Sequence, residues 1–402
     1  MYSKKAINEA ARKVEETFPV RLREYTPSEV DAWVERINSA ITLKGENKLE
    51  QKRPLDEEER QFISNELLMS KISFPYYAER YVWIRRDKGG DVRFKFWESQ
   101  ELILDTIAKM QDAGLPIFLI NLKARQIGAS TLAEAILTHK VLTTPSITSL
   151  LAADEAKQSE FLFNMMERVF NHLPLWMRPH RLYHVKGAHM FFDRMDSNVL
   201  VDAGNKRDGN VGQGKALHCG HLSELATWQN PEMVSEDLIP AILSAASPHS
   251  FWIFESTAKG KMSHWRDWWL AAKRGRFHGF VPVFVAWWVI KEKYQADPSI
   301  GWEPSDRVRR LARTLLLLKG VELTRKQMYW WDRTYASYKE ENRLNAFYAE
   351  YASDDEEAFQ LTGKSVFPIE TIQDLRRKAM ERTTALYQFE ERGLDVAPHP
   401  AR

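Results

Sequence analysis

Residues 116–142, PIFLINLKARQIGASTLAEAILTHKVL, leave few folds open to this chain. The short apolar run at 116–122 reads as a buried strand, and 130–142 reads as a helix. Between them the chain turns at Gly128. The loop looks like a phosphate-binding loop that lacks its lysine. In the pattern G-x-x-x-x-G-K-[ST], Gly128 is the second glycine and Ser130 the hydroxyl, but Ala129 stands where the lysine belongs and Lys123 where the first glycine belongs.

The same rhythm continues downstream. SITSLLAA (146–153) reads as a second strand and 154–173 as a helix. Residues 189–203 read as a hairpin around an Asp-Ser-Asn turn, and 215–225 and 249–257 as two further strands. Strands alternating with helices predict a mostly parallel sheet flanked by helices. The ends differ from this middle. Residues 1–70 are polar and helical in pattern, with Leu67, Leu68 and Ile72 closing an apolar stripe, and 43–60 read as a charged loop followed by a helix start. Beyond 265 the chain is rich in Trp and basic residues and then helical; Ser353, three residues before Glu356, predicts a capping box. The acidic cluster there reads as a helix N-terminus before it reads as a metal site.

Composition excludes several classes. Of the 402 residues, 44% are apolar and 28% charged, as in an ordinary soluble protein, and 14 Trp, 13 Tyr and 20 Phe supply a sizeable core. A net charge of +2 neither argues for nucleic acid nor excludes it. The single cysteine, Cys219, leaves no internal disulfide and suits a reducing compartment. The N-terminus lacks the apolar segment of a signal peptide, and the most apolar run, 280–290, falls short of the roughly 20 residues that span a bilayer. The expectation is a soluble intracellular protein without a membrane partner. No internal repeat or low-complexity tract is present.

Three strand ends carry chemistry. At the first, backbone N–H groups from Gln126 to Ser130 would point at an anion, aided by the dipole of the following helix. Gly128 allows close approach, Ser130 suits Mg²⁺, Lys123 at the mouth of the loop supplies a cation, and Arg125 supplies a second that would fork onto a γ-phosphate. Taken alone, the loop is equally a plain strand–turn–helix junction. At the second end, Glu224 suits a base that orients water, while Ser223 stands where an Asp usually holds Mg²⁺. His218, Cys219 and His221 invite a zinc reading, but on a strand His218 projects opposite to the other two, which favours packing. At the third, FESTAKG (254–260), the hydroxyls of Ser256 and Thr257 precede Gly260, a set that a small-residue turn would also explain. Their order, about 95 and then about 30 residues apart, would align all three along the carboxyl edge of one sheet.

Together these residues resemble the ATPase motor of the large terminase subunit of tailed double-stranded DNA phages. That family carries a loop of the form K-x-R-Q-x-G-x-S, matched by Lys123, Arg125, Gln126, Gly128 and Ser130. Its second motif ends in D-E or S-E, then a small residue and an aromatic, matched by Ser223, Glu224, Ala226 and Trp228. Its coupling motif is matched by Ser256, Thr257 and Gly260, and Gln100 falls on its adenine-contacting glutamine. The resemblance covers about residues 75–367.

It implies an α/β P-loop NTPase of the ASCE type, with an N-terminal helical segment (1–74), an ATPase core (75–264), a lid subdomain (265–363) and a C-terminal helix or linker (364–402). It implies ATP and Mg²⁺ as cofactors. ATP would lie on Lys123, Ala124, Gln126, Ile127, Gly128, Ala129, Ser130, Thr131 and Gln100, and Mg²⁺ on Ser130 and Ser223. Glu224 and Arg125 would be catalytic, and Ser256, Thr257 and Gly260 would couple hydrolysis to the lid. The partners it implies are double-stranded DNA, a portal protein, a small terminase subunit and further copies in a ring, at the procapsid portal in the host cytoplasm. A trans-acting arginine is expected from a neighbour, Arg207 being one of many choices. After Gly363 only 39 residues remain, too few for the RNase H-type nuclease that completes such proteins, so no endonuclease activity is expected of this chain. Two other readings stay open: another nucleic-acid-dependent ATPase such as a helicase, and a non-catalytic module that binds DNA or portal protein.

Overall fold

A computed structural model describes the chain apart from residues 19–20, 45–47, 87–88, 180–182, 186–188, 206–210, 213–215, 260–262, 360–386, 393–394 and 401–402. Helix starts near the N-terminus follow their caps. Ser3 accepts from the Ala6 N–H before α1 (Lys4–Thr17), and capping boxes at Thr26 with Glu29 and at Asp56 with Glu59 open α2 (Pro27–Asn38) and α3 (Glu57–Ile72). The stretch expected as a charged loop instead includes an antiparallel pair, β1 (Ile41–Lys44) and β2 (Lys48–Gln51), with Leu43 opposite Leu49. Alternation of apolar and charged residues there favours strand pairing over a free loop. The expected stripe is corrected as well: Ile72 is buried but Leu67 is exposed. The inner face of α3 is given to Phe62, Met69 and the carboxylate of Glu66, which accepts from the hydroxyls of Tyr76 and Tyr81 and the Asn65 amide. A short helix, α4 (Phe74–Tyr81), and an antiparallel pair, β3 (Trp83–Arg85) and β4 (Asp91–Arg93), lead to α5 (Glu98–Asp112).

From here strand and helix alternate as the sequence predicts. β5 (Ile117–Lys123) runs into α6 (Ala129–Thr143), and β6 (Thr148–Ala153) into α7 (Ala156–His172). After β7 (Tyr183–Val185) come β8 (His189–Phe192) and β9 (Ser197–Ala203), the expected hairpin with its turn displaced: the chain reverses through the 3-10 segment Asp193–Met195 capped by left-handed Asp196, and Ser197 and Asn198 already pair in β9. β10 (Cys219–Ser223) is followed by α8 (Ile239–Ser244), β11 (Phe251–Ser256), α9 (His264–Lys273) and β12 (Val281–Val285).

These strands form one eight-stranded sheet in the order β12-β5-β11-β10-β6-β9-β8-β7, parallel from β12 to β9 and antiparallel beyond. Every residue of β5, β10 and β11 is buried, as strands covered on both faces require. One face carries Phe118, Ile120, Leu222, Trp252 and Phe254 against Trp265 and Trp269 of α9. Gly220 is required on that face: a Cβ there would stand 2.2 Å from the Trp252 ring. The architecture is the α/β class expected. Among the described residues no helix is long and apolar enough to cross a membrane.

Residues 265–363 thus give α9 and β12 before turning helical, through α10 (Asp306–Lys319), α11 (Arg325–Glu340), α12 (Leu344–Glu350) and α13 (Asp355–Ala358). The cap of α13 lies one residue later than the Ser353 expectation. Asp354 Oδ1 accepts from the N–H groups of both Glu356 and Glu357.

The chain divides into two compact units, residues 1–360 and 361–402. Within the second, β13 (Tyr387–Arg392) pairs antiparallel with β14 (Asp395–Pro400). The helix or linker expected here is therefore a strand over 387–392, where YQFEER alternates with period two. Gly363 and the rest of that expected helix lie outside the described residues.

Candidate nucleotide site

The strand order sets the geometry. β5 delivers Lys123 at its end, β11 lies beside it, and β10 follows, so that Asn121, Glu255 and Ser223 stand side by side across three strands. Between β5 and α6 the loop turns through Gln126 (φ 53°) and Gly128 (φ 78°), both left-handed. Gly128 meets the left-handed φ without strain, and a Cβ there would lie 2.7 Å from the Gln100 amide nitrogen, which would have to shift. α6 begins at Ala129, so the N–H groups of Ala129, Ser130 and Thr131 sit in its first turn without intrahelical acceptors. That is a ready anion site.

Lys123 and Glu224 meet. The ammonium donates to Glu224 Oε1 at 3.1 Å, and Ser256 Oγ donates to Oε2 of the same carboxylate at 3.2 Å. Glu224 itself is held in the left-handed region (φ 53°) just after β10 and is about one-third exposed, whereas Lys123 is buried. Burial works against the charge of Lys123, but the carboxylates of Glu255 and Glu224 outweigh it and hold the ammonium above its ordinary pKa.

Glu255 is the residue the sequence reading missed. Fully buried at the end of β11, its Oε1 accepts from Ser130 Oγ at 2.6 Å and Ser223 Oγ at 3.3 Å. His221 Nε2 lies 3.1 Å from the same oxygen, an ion-pair distance. On its other side His221 Nδ1 is 2.6 Å from Glu134 Oε1 of α6. Burial would raise the pKa of Glu255, yet the charges of Lys123 and His221 bring it down to about 2. Burial would lower that of His221, yet Glu255 and Glu134 carry it up to about 9. Glu134 is pushed up by burial. The available signal was a carboxylate closing an otherwise apolar strand, FWIFE, beside the hydroxyls that drew the reading.

The remaining expected residues are placed differently from one another. Ala124, Ile127 and Ala129 are buried within the loop. Gln100 braces the loop: its amide donates to the Gly128 carbonyl and its oxygen accepts from the Trp97 N–H, both at 2.9 Å, while Ser99 Oγ donates to the Ile127 carbonyl. Arg125 is turned to α12. Its guanidinium pairs with Glu350 of α12 at 3.1 Å, its N–H donates to the Glu350 carbonyl, and its own carbonyl accepts from the Tyr294 hydroxyl. Lys293 Nζ donates to the Gln126 carbonyl at 2.7 Å. Ser256 joins the site through Glu224, and Thr257 follows it; Gly260 and Arg207 lie outside the described residues. The zinc reading is not supported: His218 Nδ1 accepts from the Thr148 N–H, His221 is committed to carboxylates, and no cluster of three metal-ligating side chains occurs among the described residues.

The fold is similar to that of phage large terminases. Against the large terminase of bacteriophage HK97 the identity is 17%, over 67% of this chain and 53% of that one, with a TM-score of 0.45. For the large terminase ATPase domain of Thermus phage P74-26 the values are 17%, 50%, 82% and 0.36. For the large terminase of a thermophilic bacteriophage in complex with ADP they are 12%, 50%, 49% and 0.38. This chain thus spans about half the length of the HK97 protein. No protein-family profile and no curated protein matches the sequence.

Proposed function

We propose that this chain is an ATP-hydrolysing motor that drives double-stranded viral DNA into a procapsid. The observation that carries the reading is the contact of Lys123 and Ser256 with the two oxygens of Glu224, beneath a glycine turn that opens a helix. A lysine at the loop mouth, a carboxylate one-third open to solvent and a hydroxyl from a third strand end are the parts that phosphoryl transfer needs.

Each part has a task. First-turn N–H groups of α6 and the Lys123 ammonium hold the phosphates, and Lys123 must exchange its Glu224 partner for phosphate oxygen as ATP enters. Glu224, once released, accepts a hydrogen bond from the attacking water and orients it. Ser256, already on that carboxylate at the end of β11, passes the change in its position to Thr257 and the chain that follows. Arg125 reaches the γ-phosphate only by leaving Glu350, which couples the loop to the lid helix. The oxygen-only set of Ser130 and Ser223, on a buried Glu255 carboxylate whose Oε2 has no hydrogen-bond partner among the described residues, fits a hard divalent cation such as Mg²⁺. Bound there, the ion would neutralise charge on the phosphate oxygens.

Double-stranded DNA, a portal protein, a small terminase subunit and a ring of copies at the procapsid portal complete the proposal. They rest on the motif resemblance. The experiment is Glu224→Ala. Turnover of ATP should fall by about 10²–10⁴-fold, the range for losing a positioned base, while ATP binding and the thermal melt stay close to those of the unaltered protein. Absence of Mg²⁺-dependent ATPase from the unaltered protein, with and without DNA and in assembled form, would refute the motor.

A further inference from the structure

We propose that Glu255 is the carboxylate that anchors the nucleotide-bound Mg²⁺, taking over from the neighbouring strand the task that Ser223 lacks the charge to perform. The inference rests on the ATPase reading and adds a residue to it. Three observations converge on this side chain. In the sheet Ser223 of β10 is the register partner of Glu255 of β11, so the carboxylate stands one strand nearer to the loop strand β5 than the usual aspartate position does. The two hydroxyls suited to the ion, Ser130 of the loop helix and Ser223, both donate to its Oε1, so a single carboxylate already gathers both candidates. Its Oε2, within a residue of zero exposure, has no hydrogen-bond partner among the described residues, and neither has the amide of its other register partner, Asn121.

A buried carboxylate oxygen left without a donor is costly unless water or a cation completes it. Mg²⁺ takes one or two carboxylates with substrate phosphates and keeps several waters, so one carboxylate, a hydroxyl and ATP suffice. His221 and Glu134 act behind it: the imidazole, 3.1 Å from Oε1 and 2.6 Å from Glu134, fixes the orientation of the Glu255 carboxylate.

The test reads metal binding rather than turnover. Mn²⁺, as the spectroscopic stand-in, is titrated by EPR into the protein saturated with a non-hydrolysable ATP analogue, and binding of the analogue without metal is measured alongside. Glu255→Gln should weaken Mn²⁺ in the ternary complex by about 10–100-fold and leave metal-free analogue binding within about threefold. Adding Ser223→Asp to Glu255→Gln should restore Mn²⁺ affinity, because the charge returns at the register partner. Should Glu255→Gln fail to fold, Glu255→Asp keeps the charge and must still weaken Mn²⁺. Unchanged Mn²⁺ affinity in a folded Gln or Asp variant, with ATPase intact in the unaltered protein, overturns the role of Glu255 alone. No binding of the analogue by the unaltered protein, with or without metal, overturns the ATPase reading and this inference with it.

Discussion

The floor and the rim of the loop are built from similar charges in opposite surroundings. On the floor, Lys123, Glu255, His221 and Glu134 are buried, and each charge is offset by another within the sheet and α6. On the rim, Arg125 pairs with Glu350 while its side chain keeps 55% of its exposure. Buried charges carry a large desolvation cost and depend on their partners absolutely, whereas exposed pairs contribute about 0–1 kcal/mol and are screened by salt. The floor is therefore suited to hold one geometry, and the rim to change partners.

The comparison breaks first at Lys123. Lys123→Ala should lower kcat/KM for ATP by about 10²–10³-fold, the size of losing one charged stabiliser of a transition state. It also leaves Glu255 without its main counter-charge, so a thermal melt belongs beside the kinetics. A loss below about tenfold would return the loop to an ordinary strand–turn–helix junction.

Next comes the pair beneath it. His221→Gln, by stranding two buried carboxyl groups, should destabilise the fold by about 3–5 kcal/mol in a denaturant titration. Because the folded pKa of His221 is raised to about 9 from an ordinary 6.5, its contribution is fully present below pH 6.5 and is lost as pH rises through 9. Glu255, brought down from an ordinary 4.5 to about 2, contributes fully above pH 4.5 and loses that contribution as pH falls from there through 2. Melting temperature should then decline between about pH 6.5 and 9 in the unaltered protein and decline less in His221→Gln. An equal decline in both would mean that His221 is neutral in the fold.

How far the sequence exposed this contrast follows from distance along the chain. The loop, the carboxylate after β10 and the hydroxyl that ends β11 were legible because each is a local pattern: an apolar run followed by glycine, by S-E or by S-T. Glu255 was not, because its importance comes from strand order. Only when β11 inserts between β5 and β10 does it meet Ser130, 125 residues away in sequence, and Ser223, 32 away. Arg125 was legible as a cation but not as a partner of Glu350, since the helix that receives it, α12, arrives 225 residues later. The β1–β2 and β13–β14 pairs were missed for a plainer reason: short charged strands alternate too briefly to stand out from loops or helices.

On the rim the effects shrink. Arg125→Ala should cost about tenfold in kcat and leave the melt within about a degree, because an exposed pair adds little to stability. Raising the salt concentration should weaken the Arg125–Glu350 pair while sparing the buried floor. A stability loss at Arg125 matching that at His221 would erase the distinction between the two regions.

The smallest effect is expected where the usual lysine is missing. Ala129 opens α6 and is buried, yet its side chain makes no polar contact among the described residues. A hydroxyl added there sits in the first helical turn, where serine is tolerated and the N–H groups are already directed at an anion. Ala129→Ser should therefore leave kcat and the affinity for ATP within about twofold, against the 10²–10³-fold loss at Lys123. The two substitutions, six residues apart in one loop, ask the same question from opposite ends. If the charge has moved to position 123, the loop should be indifferent at 129; a large loss at 129 with little at 123 would put the phosphate contact on the helix side and leave Lys123 as a structural partner of Glu224.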